Sequence, residues 1–365
     1  MSQKQRIMSG MRPTGKLHIG HYMGVLRNWV ELQSQYDCYF AVADWHALTT
    51  KFDKTDELKQ NVVDVVMDWL ACGIDPSTSH IYVQSLVPQT AELHIYLSMI
   101  TPQNWVERDP TLKDMVKAMR GDVALDALTL VANSQEDRDG SKIVNIKEFA
   151  KLEKRNQEVI SYGLMGYPVL QSADIMTFNA NLVPVGQDQV AHIEITRDIA
   201  KRFNHIYKTK FFNEPQCKLT QTPMLKGIDG QKMGKSFAND IKISDDEATT
   251  VKKIMKGITD ANRIKREDAG QVDNCEVIYP YYQIFANDLT GTVKAECESA
   301  TRGCADCKRQ LAEAVNEYFR PIRAKRIELE QNIDYVHQVI KDGSARASQE
   351  AQITIEQVRK LVKMY

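Results

Sequence analysis

Apolar residues in the first half of the chain follow two rhythms. Ile19, Met23, Leu26 and Val30 recur at steps of four, three and four, and Leu58, Val62, Val65 and Trp69 keep a similar period. Each set marks one face of a helix. "CYFAVAD" (38–44) is a continuous apolar run and "HIYVQ" (80–84) a second, shorter one, as expected of strands buried on both faces. With residues 5–9 as a first strand the order is βαβαβ, which predicts a parallel, doubly wound α/β sheet of Rossmann type with right-handed crossovers. Ligands in that architecture sit beyond the carboxyl ends of the strands, here Ser9-Gly10-Met11 and Asp44-Trp45-His46. No Gly-x-Gly-x-x-Gly follows the first strand, so a dinucleotide enzyme fits poorly.

Residues 101–160 are polar and charge-rich and read as an insertion. Gly166-Tyr167-Pro168 reads as a break at the start of 165–175, and 183–203 run from a strand end through Gly186 into a helix. Strands fade after about residue 240. The remainder is rich in Lys, Glu, Ala and Arg at helical spacing. Two domains are therefore expected: a catalytic one over 1–240, and an all-helical one over 241–365.

Composition adds little for a chain of 365 residues with 43% apolar and 26% charged side chains, both ordinary globular values. The first residues lack the apolar core of a signal peptide and no run reaches membrane-spanning length, so a soluble, cytoplasmic protein is expected. A net charge of −1 offers no global field for nucleic acid, yet 251–266 carry six basic residues and one acidic. A local patch suffices to bind phosphates, although a solvated helical face is the plainer reading.

The stretch "GQKMGKS" (230–236) ends as a phosphate-cradling P-loop does. A P-loop needs a glycine where Asp229 stands, and it needs a helix next, whereas "SFANDIKISDD" lacks a helical apolar period. An ATP-hydrolysing P-loop protein is thereby disfavoured, and the lysines need another explanation. "KLHIGH" places His18 and His21 three apart at the start of the first helix, on one face and near free N–H groups. Two imidazoles there can donate to phosphate, or be two surface histidines.

"HIGH" (18–21) and "KMGKS" (232–236) resemble the two ATP-binding sequences of class I aminoacyl-tRNA synthetases, with Gly234 in place of the usual middle serine. "SGMRPTGKLHIGHYMG" (9–24), "ADWHALTT" (43–50), "GYPVLQSADI" (166–175) and "VPVGQDQ…HIEITRDIAKRFN" (183–204) look like the tryptophanyl-tRNA synthetase family, from about residue 7 to 240. Tyrosyl enzymes share the fold and the pattern Tyr167, Gln171 and Asp174. They place a tyrosine where Met8 stands, and a thioether suits packing on an indole but gives a phenol no hydrogen bond.

The resemblance implies roles. His18, His21, Lys232 and Lys235 would be catalytic. Arg12, Pro13, Thr14, Gly20, His21, Gly186, Gln187, Asp188, Met224, Met233, Gly234 and Ser236 would hold ATP with the lysines. Met8, His46, Tyr167, Gln171, Asp174 and Gln189 would hold tryptophan, with Asp174 accepting the indole N–H. The plainer alternatives are an Asp174 that caps a helix N-terminus and a His46 satisfied by backbone in the core. The implied reaction takes tryptophan and ATP-Mg²⁺ to the adenylate and passes it to tRNA(Trp), in a homodimer. A synthetase-like RNA-binding protein without catalysis would be expected to lack the histidine pair, the lysine pair or Asp174.

Four of the seven cysteines fall as Cys275-x21-Cys297-x6-Cys304-x2-Cys307, the last three in the hydrophilic "CESATRGCADC". Bare thiols gain little there, so ligation is the better reading. Structural zinc usually takes two tight pairs, whereas one distant cysteine plus a compact trio suits a cubane cluster. The spacing resembles a pattern in tryptophanyl enzymes that carry a [4Fe–4S] cluster in the domain meeting the anticodon, with structural zinc as the alternative.

Overall fold

The computed structural model describes residues 4–117, 135–136, 142–143, 161–219 and 225–365. Most of the polar insertion expected over 101–160, and Met224, lie outside the described residues. The described strands of the main sheet are β1 (Arg6–Met11), β2 (Asp37–Val42), β3 (Ser79–Val83), β4 (Leu182–Val185) and β5 (Gln216–Leu219). They stand in the order 3-2-1-4-5 and every pairing is parallel. Ile7, Phe40 and Ile81 are fully buried on these strands, which is why the apolar runs are continuous rather than alternating. The strand order reverses between β1 and β4, so a crevice opens at their carboxyl ends.

Helices cover both faces. After β1 the chain forms α1 in three consecutive stretches, α-helical Ile19–His21, π-helical Tyr22–Leu26 and α-helical Arg27–Leu32. There follow α2 (Asp44–Lys51), α3 (Leu58–Ala71), α4 (Gln89–Ile100), α5 (Tyr162–Thr177) and α6 (Val190–Ile206). The break expected at Gly166-Tyr167-Pro168 is absent. Helix α5 starts at its cap Ser161, whose hydroxyl accepts from Leu164 N, and runs through Pro168. A proline inside a helix costs about 3 kcal/mol. Leu164, Val169, Ala173 and Met176 are buried in one apolar cluster with residues of α4 and α6, and large side chains gain about 1.5–3 kcal/mol each on burial. Packing wins.

Beyond residue 240 the regular elements are helical: α7 (Glu247–Lys256), α8 (Ile278–Phe285), α9 (Thr290–Glu298), α10 (Cys304–Gln331) and α11 (Ile333–Val362). Helix α10 packs on α7, α8 and α3. Helix α11 instead returns to the sheet. A Cβ on Gly343 would lie 1.8 Å from the Ile81 carbonyl oxygen, and Val83 N donates to Ser344 Oγ at 3.1 Å. Arg6 to Glu350 (2.8 Å) and Arg359 to Glu92 (2.6 Å) pin its length to β1 and α4. The last helix is thus a layer over the sheet.

Candidate active site

A cavity of about 350 Å³ occupies the crevice between β1 and β4. It gathers Met8, Arg12, His21, His46, Tyr167, Gln171, Asp174, Gly186 and Gln189 from five separate stretches of chain. Parallel register explains the convergence, since β1 and β2 pair in step from Arg6 opposite Asp37 to Met11 opposite Val42. Both strands therefore deliver their following loops to one edge.

At one end lies a buried carboxylate. Asp174 does not cap a helix N-terminus. It sits near the end of α5, where Gln84 Nε2 donates to both its oxygens at 2.8 and 2.9 Å. His46 Nε2 stands 3.0 Å from Oδ2, so His46 is tied to Asp174 rather than to backbone. Gln84 is fully buried, and its Oε1 accepts from Trp45 N and His46 N, which fixes which end of the amide faces Asp174. An ionised carboxylate accepts at about four positions. Among the described residues three are taken, and one on Oδ1 is left for an N–H donor in the cavity. Met8, 5% exposed, supplies an apolar wall.

Tyr167 forms a second buried group. Its hydroxyl donates to Asp109 Oδ2 at 3.0 Å and lies 3.1 Å from His192 Nε2, while His192 Nδ1 is 2.9 Å from the same carboxylate. Burial pushes the Asp109 carboxyl up, but the adjacent His192 ring and hydrogen bonds from Thr111 N and Tyr167 hold it below its usual range. Arg12 stands over this end, where loss of hydration lowers its pKa from the usual guanidinium value against the opposing influence of Tyr167. It remains a cation.

The other end is built by the two signature segments. His18 is the N-cap of α1, and its Nδ1 accepts from His21 N while His21 Nδ1 accepts from His18 N, both at 3.3 Å. Each Nδ1 is thereby an acceptor, so each ring carries its proton on Nε2 and presents that N–H outward. Burial drives the pKa of His18 down to about 4, with Asp240 opposing and Lys235 assisting. His21 falls well below 6.5 through burial, His18 and Lys235. Both are neutral donors at pH 7.

Lys235 of the second segment comes near the histidine pair, although neither it nor His18 lines the cavity. Its Nζ donates to Gly15 O at 2.6 Å and lies 3.5 Å from Thr14 Oγ1. Desolvation lowers its pKa to about 8 despite Asp68 and Asp240. Pairing of Ile19 N with Ile241 O and of Ile243 N with Leu17 O holds the two segments together. The loop is followed by a 3₁₀ turn, Lys235–Phe237, rather than by the helix a P-loop requires.

Other expected residues are placed less centrally. Pro13 and Thr14 line an adjoining cavity of about 370 Å³ with Lys51, Lys54 and Asn61. Met233 is buried beside Gly20, and Gly234 N donates to Asn239 Oδ1. Lys232 and Gln187 are exposed, and Lys232 is not brought to the cavity. Asp188 and Ser236 lie on 3₁₀ turns, their side chains outside the described residues. Gln84, Asp109 and His192 were missed in the sequence. The one available signal was Gln84, a polar residue at the carboxyl end of an apolar strand.

The four clustered cysteines are partly buried and share one neighbourhood. Arg263 Nη1 lies 3.9 Å from Cys297 Sγ and 4.0 Å from Cys304 Sγ. Burial raises the thiols of Cys275, Cys297 and Cys307, the last to about 11, and each also feels other thiols of the set. Among the described residues no group of three or more His, Cys, Asp or Glu is set to hold a metal ion, and no helix is long and apolar enough to cross a membrane.

A cleft at the switch point of a parallel sheet, with a neutral histidine pair and a lysine-bearing loop nearby, has known counterparts. The sequence profile of the tRNA synthetases class I (W and Y) matches residues 1–131 and 125–320, and the chain belongs to that family. Within it, the chain is 40% identical to the tryptophan–tRNA ligase of Aquifex aeolicus, over 98% of this chain and 100% of the relative. It is 39% identical to that of Thermotoga maritima, over 98% and 99%. The tryptophanyl-tRNA synthetase of Campylobacter jejuni complexed with ADP and tryptophan has the same fold, with a TM-score of 0.80 and 29% identity over 98% of this chain and 100% of that one.

Proposed function

We propose that the cavity is the active site of a tryptophan–tRNA ligase, and that Asp174 is the residue that selects the amino acid. The observation that carries this reading is the one acceptor position left on the buried Asp174, beside the thioether wall of Met8. An indole has a single polar atom, an N–H donor. Leaving it unpaired in the cavity would cost about 1–3 kcal/mol, and a phenol would need a donor or acceptor that Met8 does not offer. Tyr167 and Gln189 line the same cavity, where they would orient the substrate ammonium.

In the first step the tryptophan carboxylate attacks the α-phosphorus of ATP-Mg²⁺ in line, and the bond to pyrophosphate breaks. Positioning and charge stabilisation carry such a transfer. The Nε2–H groups of His18 and His21 donate to phosphate oxygens without adding charge, and Lys235 and Arg12 supply the cations. Lys232, exposed at the loop, would join on closure of the Gly234 loop over the leaving pyrophosphate. A ribose hydroxyl of the terminal adenosine of tRNA(Trp) then attacks the carbonyl carbon of the adenylate, forming the ester while the bond to phosphate breaks and AMP leaves.

The cysteine set is best read as the holder of a [4Fe–4S] cluster that staples the helical region around α9 and α10. Cys275, Cys297, Cys304 and Cys307 would supply the four thiolates that such a cluster takes. The Arg263 guanidinium beside two of the sulfurs would offset the charge of bound thiolates. Basic residues at 251–266 and Arg302, Lys308 and Arg309 flank it, as a surface for the anticodon arm would require. A homodimer fits the apolar groove lined by Trp45, Leu48, Phe52, Tyr162 and Leu170, where Phe52 is 62% and Tyr162 79% exposed.

Charging of tRNA(Trp) transcript with labelled tryptophan tests the function directly. Cys304→Ser is expected to impair this charging far more than tryptophan activation. Anaerobically purified protein should be brown, with iron and acid-labile sulfide near about four each per chain. One tightly bound zinc would convert the cluster to a zinc site, and metal-free protein of full charging activity would end the ligation reading.

A further inference from the structure

Two buried ions lie behind the phosphate end of the cavity and take no part in the chemistry above. Asp68 of α3 is 0% exposed and Arg326 of α10 is 2% exposed. Arg326 Nε stands 3.1 Å from Asp68 Oδ1, in a contact too bent to count as a hydrogen bond, and Nη2 donates to Asp64 Oδ1 at 3.1 Å. Glu330 approaches Nη1 at 3.4 Å from one turn further along α10. Removing two ions from water is expensive, and apolar residues of similar volume often serve stability equally well or better. Stability alone therefore gives a weak reason for the pair.

Its neighbours give a stronger one. Asp68 Oδ2 accepts from Leu17 N at 2.8 Å, and Leu17 immediately precedes His18. The Asp68 carboxylate also acts on Lys235, together with Asp240, against the like charges of Lys242 and Lys51. One carboxylate thus touches the first signature segment through a backbone N–H and the second through its field. Arg326, its counter-ion, belongs to the helix that begins at Cys304, about 33 Å away along the axis at 1.5 Å per residue.

We propose that Asp68 is a positioning residue for ATP: it fixes the Leu17–His18 turn, draws the Lys235 ammonium inward, and is itself held in place by Arg326 of α10. Use of ATP then depends on how α10 is docked, although α10 touches neither substrate. The proposal rests on the reading that this end of the cavity binds the phosphates of ATP. The competing role is a plain lock between α3 and α10.

Two paired substitutions separate these roles, because each removes both charges of the Asp68–Arg326 pair and strands neither of the two, while Asp64, the other partner of Arg326, keeps 13% exposure to water. Asp68→Val with Arg326→Met keeps the summed volume nearly constant but removes the acceptor for Leu17 N–H and the charge facing Lys235. Asp68→Asn with Arg326→Gln keeps the acceptor and removes only the charge. Melting temperature, kcat and KM would be measured by tryptophan-dependent pyrophosphate exchange. The apolar pair should melt near the parent, lose about tenfold or more in kcat/KM for ATP, and keep KM for tryptophan within about twofold. The amide pair should recover part of the loss. Unchanged ATP kinetics in either folded variant would overturn the proposal, and so would equal losses for ATP and tryptophan. If the apolar pair does not fold, the amide pair alone decides, since a lock predicts no change specific to ATP. Absence of tryptophan-dependent exchange in the parent protein would instead refute the functional reading.

Discussion

Gln84 and Asp174 define what a single hydrogen bond can decide. A pocket built to pair a substrate N–H rejects analogues lacking it by about 10⁴ or more. Asp174→Ala should therefore flatten the preference for tryptophan over phenylalanine, read as the ratio of kcat/KM values in pyrophosphate exchange. Gln84→Glu should act in the same direction but less, because a second carboxyl at 2.8 Å cannot donate unless it holds a proton. A discrimination unchanged in both variants would remove Asp174 from its proposed role. Lys235 gives a pH prediction. Its folded pKa of about 8 lies below the usual 10.5, so its charge is present below pH 8 and lost above it. Activation should decline as pH rises through about 8, with no inflection near 6.5, since His18 and His21 stay neutral there. For stability the sign is opposite. The unfolded chain binds more protons than the folded one between about 8 and 10.5, so this group's contribution rises with pH across that window. A profile that falls instead on the acid side of 6.5 would contradict the neutral pair. Residues matching a pattern, such as His18, Lys235 and Tyr167, were legible in the sequence. Gln84, Asp109 and His192 were not, because they hold other side chains and obey no spacing.

Among the elements, periodicity located the first strands and helices to within a residue or two, because their apolar faces meet a single core. Two failures have physical causes. Pro168 signals a break to any local reading, yet α5 is buried against α4 and α6 and continues through it. Helix α11 has the composition of an outlying helix, but small residues at Gly343 and Ser344 let it approach β3 at backbone distance. Close approach by small residues leaves little trace in hydrophobic spacing. Gly343→Ala should then push α11 off the sheet and destabilise the protein by about 1–3 kcal/mol or more, measured by urea denaturation. An effect below about 0.5 kcal/mol, the size of a surface change, would show that the approach is not tight. Arg326→Met alone should cost about 3–5 kcal/mol, since it strands Asp68 as an unpaired buried charge.

The whole molecule joins a doubly wound sheet, whose switch point makes the cavity, to helices that begin with a cysteine set and end on the sheet. Near-neutral net charge (−1) is compatible with tRNA binding because a local basic cluster, six basic residues against one acidic, lies at 251–266. Fold and reaction class could be read from the order of elements and two short motifs; the dependence of the phosphate end on α10 could not, because its ion pair spans residues 68 and 326. One claim is central: this cavity activates tryptophan. Exchange of labelled pyrophosphate into ATP, run separately with each of the twenty amino acids, tests it most directly. Exchange driven by tryptophan, with every other amino acid lower by orders of magnitude, is the predicted result. Exchange driven better by tyrosine, or none with any amino acid, would contradict it.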